Sequence, residues 1–95
     1  MPEAMLTRDE ILHRVQGVLC EALKVDRDVV TLEANIQEDL DADSLDVVEL
    51  LMECEDQLGI KIPDTAAQKM KTVGDVVDFA FHRQSDPTYG DVVAG

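Results

Sequence analysis

The chain has 95 residues, enough for one domain, and a domain of that size buries only about 60–65% of its unfolded surface. Eight Lys and Arg against 21 Asp and Glu give a formal charge of −13, which repels nucleic acid and anionic membranes and attracts basic protein surfaces. Two Phe, one Tyr and no Trp leave the core to Leu, Val, Ile, Met and Ala, a mix that favours short helices over a sheet.

In chain order, no apolar run approaches the roughly 18 residues of a membrane span, and Met1 to Leu6 lacks the charged and apolar regions of a signal peptide. A cytoplasmic protein without membrane insertion is expected. Thr7 and Glu10 have capping-box spacing. Ile11, Val15, Val18 and Ala22, flanked by Leu12, Leu19 and Leu23, recur at helical intervals, so a first helix is predicted from Arg8 to Leu23. From Lys24 to Asp43 the periodicity fades, yet Val25, Val29, Val30, Leu32, Ile36 and Leu40 predict a long loop pinned to the core.

A second helix is predicted from Ser44 to Leu58, with Asp43 or Ser44 as its cap and Gly59 ending it. Beyond the extended Ile60–Pro63 link, Asp64 can cap a short third helix through about Met70. Thr72 and Asp75 form another capping-box pair for a fourth helix from Val73 to about Arg83. The fold class expected is all-α: a small four-helix bundle of three main helices and one short one. The domain is placed at 1–84, and 85–95 is read as a flexible tail. Cys20 and Cys54 lie in apolar helical patterns and not in a C-x-x-C pair, which predicts buried, reduced thiols.

The second helix has three faces when plotted at about 100° per residue. Val47, Leu50, Leu51, Cys54 and Leu58 share one, the pattern of burial against a core. Leu45, Val48 and Met52 form a second apolar strip displaced around the helix, and Asp46, Glu49, Glu53 and Asp56 an acidic stripe beside it. An apolar strip bordered by carboxylates suits docking of basic, partly apolar partners, although the same strip could simply be extra core. Charge distribution favours docking: between Asp28 and Ile60 there are eleven carboxylates and no Lys or Arg, whereas a surface built for solubility mixes signs.

The run Asp39-Leu40-Asp41-Ala42-Asp43-Ser44-Leu45-Asp46, followed by Val48-Glu49-Leu50, resembles the Asp-Leu-Gly-x-Asp-Ser-Leu motif of acyl carrier proteins. Ile62-Pro63-Asp64 and Thr72-Val73-Gly74-Asp75 follow at the family's spacing, so the resemblance spans roughly Thr7 to Phe81. It implies a covalent 4'-phosphopantetheine arm on Ser44, flanked by Asp43 and Leu45, placed there from coenzyme A by a phosphopantetheinyl transferase. It further implies acyl groups held as thioesters at the end of the arm, with the acyl chain tucked among Leu50, Cys54, Leu58, Ile62 and Ala67. Partners would then be acyl-transfer, condensing and reducing enzymes with basic docking surfaces acting on a monomeric carrier that has no turnover of its own. Fatty acid synthesis is the expected pathway; polyketide or aminoacyl cargo is the alternative. Two positions depart from the motif: Asp41 stands where the family carries Gly, and Ile36 where many members carry Phe.

Other chemistries fit less well. Asp39, Asp41 and Asp43 open like an EF-hand loop, but position six would be Ser44 in place of Gly and position twelve Leu50 in place of a bidentate carboxylate. No metal site is expected. A hydrolase built on Ser44 would need a nearby base, yet His13 and His82 lie towards the chain ends, both expected at the surface, and there is no G-x-S-x-G elbow.

Overall fold

The computed structural model describes residues 6–86. Among these residues four helices follow one another: α1 (Arg8–Leu23), α2 (Ser44–Leu58), α3 (Asp64–Ala67) and α4 (Val73–Ser85), with a 3₁₀ turn at Arg27–Val29 after α1. No β-strand occurs among the described residues, so the architecture is the expected helical bundle. α1 packs against both α2 and α4 and forms the spine of the molecule.

The local signals of the sequence act as expected at two helix starts. Thr7 and Thr72 each accept a hydrogen bond from the amide three residues on, and Glu10 and Asp75 each accept one from the cap amide in turn, closing complete capping boxes for α1 and α4. Burial tends to raise the Asp75 carboxyl pKa, but the amides of Lys71 and Thr72, the Thr72 hydroxyl and the Lys71 charge together outweigh it and hold the group below its ordinary value. α1 buries Ile11, Val15 and Leu19. Leu12, Val18 and Leu23 pack at the margin of this core, whereas Ala22, read as part of the inner stripe, is exposed. Among the described residues, every buried one is apolar.

Three boundaries differ from expectation. Pro63, not Asp64, occupies the cap position of α3, and Asp64 is the first helical residue. α3 ends at Ala67 because the following amides reach back only three residues, Lys69 N to Ala66 O at 3.0 Å and Met70 N to Ala67 O at 3.1 Å. That tighter winding turns Met70 into the core, where it is 8% exposed. α4 runs on to Ser85, with the Asp86 amide closing on His82 O at 3.0 Å, so Ser85 and Asp86 belong to the helix end and not to a tail. The remainder of the expected tail, and Met1–Met5, lie outside the described residues.

The loop between α1 and α2 is held by two sets of contacts. At its start, the Arg27 guanidinium lies across α1 and donates to His13 O at 3.2 Å and Gln16 Oε1 at 3.3 Å, while Gln16 donates to Val30 O at 3.0 Å. Further on, the loop runs alongside the entry to α4: Ile36 N bonds Lys71 O at 2.9 Å, Val73 N bonds Ala34 O at 3.0 Å and Gly74 N bonds Leu32 O at 2.8 Å, around a bridge between Asn35 and Thr72. The Asn35 side chain accepts from the amides of Gln37 and Glu38, and Asp39 accepts from the Asn35 amide. This backbone pairing sinks Val30, Ala34, Ile36, Leu40 and Ala42 into the core. Val29 and Leu32 stay outside the core, 48% and 43% exposed.

Gly74 sits where this seam is tightest: a Cβ there would lie 2.9 Å from Leu32 O. Gly74→Ala should force the loop away from α4 and lower stability by about 1–3 kcal/mol, read as a drop in the midpoint of thermal or denaturant unfolding. An alanine variant as stable as the parent would show that the seam does not hold the loop.

Candidate functional site

The site is built at the first turn of α2. Asp43 has extended backbone angles (φ −90°, ψ −179°) and its carboxylate accepts from the Asp46 amide at 2.9 Å. Asp46 reaches back to the Asp43 amide at 3.3 Å. The pair is a capping box made of two aspartates, so the cap is Asp43 and Asp46 has a structural task beside its place in the acidic stripe. Ser44 is therefore the first residue of the helix and exposed. Among the described residues its hydroxyl has no hydrogen-bond partner. The first amides of a helix have no carbonyl to pair with, and together with the macrodipole they favour a phosphate at this point. An exposed, unengaged hydroxyl beside them fits a phosphodiester to a prosthetic group.

The loop leading into Ser44 keeps its shape despite the two departures from the motif. Asp41 adopts φ +62°, the left-handed region that glycine enters freely and that Asp tolerates better than most residues. Ile36 is 2% exposed and supports the loop from within the core. The Asp39–Asp43 carboxylates are not convergent in their bonding, since Asp39 closes on Asn35 and Asp43 on Asp46.

Around α2 the three expected faces separate. Leu50, Leu51 and Cys54 are buried, with Val47 and Leu58 at the margin of the core. Leu45, Val48 and Met52 are 73%, 51% and 60% exposed, so this strip is a surface and not additional core. Glu49, Glu53 and Asp56 are exposed beside it, and Asp46 is half-buried by its cap. The far end of α2 is secured by two residues that the pattern of the sequence did not single out for any role there. Arg14 of α1 donates to Gln57 O at 3.0 Å, a cation on the negative end of a helix whose own last turn has none. Glu55 accepts from the Ile62 amide at 2.6 Å and fixes the α2–α3 link. The last carbonyls of a helix lack intrahelical partners, and the local hint in the sequence is that the final turn of α2 has no Lys or Arg of its own.

Of the residues expected to line an acyl pocket, Leu50, Cys54 and Ile62 are buried in the packed core, and Leu58 and Ala67 pack against it. A cleft of about 830 Å³ lies elsewhere, between α1 and α2, and of these five residues only Leu50 lines it. Burial, with the Glu53 charge adding to it, pushes the Cys54 thiol up to about 12, so Cys54 behaves as a small apolar side chain. Cys20 is half-buried instead of fully enclosed, and both cysteines are free. His13 is exposed and lies beside Arg27, while His82 is half-buried beside Asp78.

The family described as a phosphopantetheine attachment site matches residues 13–80. Acyl carrier proteins of Lactobacillus johnsonii and Rubrobacter xylanophilus are 42% and 46% identical over 80 residues, covering 84% of this chain and 100% and 99% of theirs. That of Thermosynechococcus vestitus is 49% identical over 74 residues, covering 78% of this chain and 91% of its own. This chain belongs to the acyl carrier protein family. The solved acyl carrier protein of Enterococcus faecalis superposes with a TM-score of 0.69 at 39% identity, over 81% of this chain and 98% of that one. The prosthetic group implied by the family is covalent 4'-phosphopantetheine, and its members are carriers, not enzymes.

The left-handed Asp41 is where this acyl carrier chain departs from the family motif at a cost. Asp41→Gly should stabilise the fold by about 0.5–1 kcal/mol by relieving the backbone, measured as a rise in unfolding midpoint over both the parent and Asp41→Asn. The asparagine variant removes the charge alone; if it matches glycine, charge relief and not backbone geometry explains the gain.

Proposed function

We propose that Ser44 carries the phosphopantetheine arm and that the chain holds acyl intermediates on it as thioesters for fatty acid synthesis or a related specialised acyl pathway. The observation that carries this reading is the division of labour at the start of α2: Asp43 and Asp46 satisfy the helix end, leaving the exposed Ser44 hydroxyl free to form the phosphodiester. When bound, the arm supplies a terminal thiol for the acyl group. The chain itself supplies a rigid attachment point and a surface by which enzymes find it.

That surface is α2. Leu45, Val48 and Met52 offer apolar grip, while Asp46, Glu49, Glu53 and Asp56 supply long-range attraction, so the carboxylates govern the rate of encounter and its salt dependence. A phosphopantetheinyl transferase and the acyl-transfer, condensing and reducing enzymes of a cytoplasmic pathway, each with a basic docking surface, are the partners this pattern suits. The acyl chain would enter among Leu50, Cys54, Leu58, Ile62 and Ala67 by parting α2 from the α3 segment, which is held by one short helix and few backbone bonds. The carrier works as a monomer.

Incubation with coenzyme A, Mg²⁺ and a broad-specificity phosphopantetheinyl transferase should add one phosphopantetheine unit to the intact mass, mapped by peptide fragmentation to Ser44. Ser44→Ala should take no load yet stay folded, because the cap belongs to Asp43. A well-folded parent that gains no mass would refute the carrier reading; a load on another residue would refute the assignment of Ser44 alone.

A further inference from the structure

The segment 61–70, which contains α3, is fastened to the rest of the chain by very little. α3 buries none of its own residues. Ile62 before it and Met70 after it enter the core, with Ala66 and Ala67 at the margin. The amides of Ala67, Gln68, Lys69 and Met70 all bond back within the segment. Among the described residues one hydrogen bond joins the segment to the rest, from the Ile62 amide to Glu55 Oε2 at 2.6 Å. Glu55 is half-buried, and an anionic acceptor at so short a distance makes the stronger class of hydrogen bond. The segment is therefore a flap held by apolar packing and one charged tie.

The tie stands on the same line of α2 as Ser44. At about 100° per residue, the helix returns at Glu55 to within roughly 20° of the direction of Ser44, and at about 1.5 Å per residue Glu55 lies roughly 16 Å further along the axis. Leu51, one turn before Glu55, is buried on the core side of this line, and Leu58 packs at the margin of the core beyond it. An arm extended from Ser44 down this face comes to the Glu55 tie.

Leu50, Cys54 and Ile62 are buried, so an acyl chain enters among them only by displacing Ile62. The Ile62 amide cannot move outward while Glu55 holds it. Entry therefore exchanges the tie for buried methylenes, and a hydrogen bond to a charged group is worth about two to four of them. Shorter chains gain too little by entering. We propose that the Glu55–Ile62 hydrogen bond sets the shortest acyl chain that the fold shelters. Glu55 is then a specificity-determining residue that acts through Ile62 and does not touch the thioester. The proposal rests on the carrier and acyl-pocket reading above and adds the contact that decides which cargo stays outside.

The test loads Ser44 of the full chain with acetyl, butyryl, hexanoyl, octanoyl and decanoyl groups from the corresponding acyl-coenzyme A, using Mg²⁺ and a broad-specificity phosphopantetheinyl transferase, in the parent, Glu55→Gln and Glu55→Ala. Methyl NMR of Leu50 and Ile62 reads entry of the acyl chain. In the parent these signals should leave their positions in the acetyl form only with the longer groups. In Glu55→Ala the first group to move them should be shorter by about two to four carbons. Glu55→Gln keeps a neutral acceptor and should fall between. Exchange of the Ile62 amide should quicken about tenfold or more in Glu55→Ala, with the amides of α1 and α4 unchanged. A merely structural role for Glu55 would lower the unfolding midpoint and leave the threshold length at its parental value. That result overturns the proposal, as does a parent in which no acyl group moves the signals, while loading at Ser44 stands in both cases. If the alanine variant does not fold, a Glu55→Gln threshold equal to the parental one has the same force. A parent that takes no load removes the carrier reading and the proposal with it.

Discussion

The hydrogen-bond exchange between Asp43 and Asp46 is the contact on which the rest of this molecule's use depends. Serine is itself a good helix cap, and in that role the Ser44 oxygen would be committed to a backbone amide. Placing the cap one residue earlier, on an aspartate, shifts Ser44 into the helix and leaves its hydroxyl exposed. The long loop serves the same end. Its seam with the entry to α4 and the left-handed turn at Asp41 bring the chain to Asp43 in the extended conformation that a cap requires.

Electrostatics sets the second constraint. Eleven carboxylates between Asp28 and Ile60 without a Lys or Arg load one side of a small domain with like charge, which opposes compaction. The fold offsets part of this by employing carboxylates as acceptors for backbone amides: Asp39 on Asn35, Asp43 on Asp46 and Glu55 on Ile62. Glu49, Glu53 and Asp56 are left to the solvent on α2. Arg14 reaches from α1 to the end of α2 and supplies the positive charge that α2 lacks. The acidic run thus divides into carboxylates that hold the structure and carboxylates that stay exposed on α2.

What could be read from the sequence was what is decided locally. Capping boxes at Thr7 and Thr72, the stop at Gly59 and the three faces of α2 follow from spacing, and each stands in the structure where spacing put it. Ambiguity between Asp43 and Ser44 as the cap was not removable from sequence, because either side chain can accept the same amide. What escaped was decided by distant parts of the chain. Ala22 fits the helical repeat but no element covers it, and Cys20 likewise remains half-buried. Leu32 looks like a core residue, yet its carbonyl is the group the fold uses, on Gly74. Helical propensity continues to Met70, whereas the structure tightens the winding after Ala67 and brings Met70 inward. The approach of Arg27 to α1, where it donates to His13 O and Gln16 Oε1, depends on a 3₁₀ turn with no strong signature in Arg27–Val29.

The central claim is that this chain carries acyl groups through an arm on Ser44, and the state of the protein in its own host tests it most directly. Intact mass spectrometry of the purified protein should show the chain with one phosphopantetheine, together with heavier acylated forms. Hydroxylamine, which cleaves thioesters, should collapse those forms to the single phosphopantetheine mass, with the modification on Ser44. A chain found only at its unmodified mass, or adducts that survive hydroxylamine, would contradict the account.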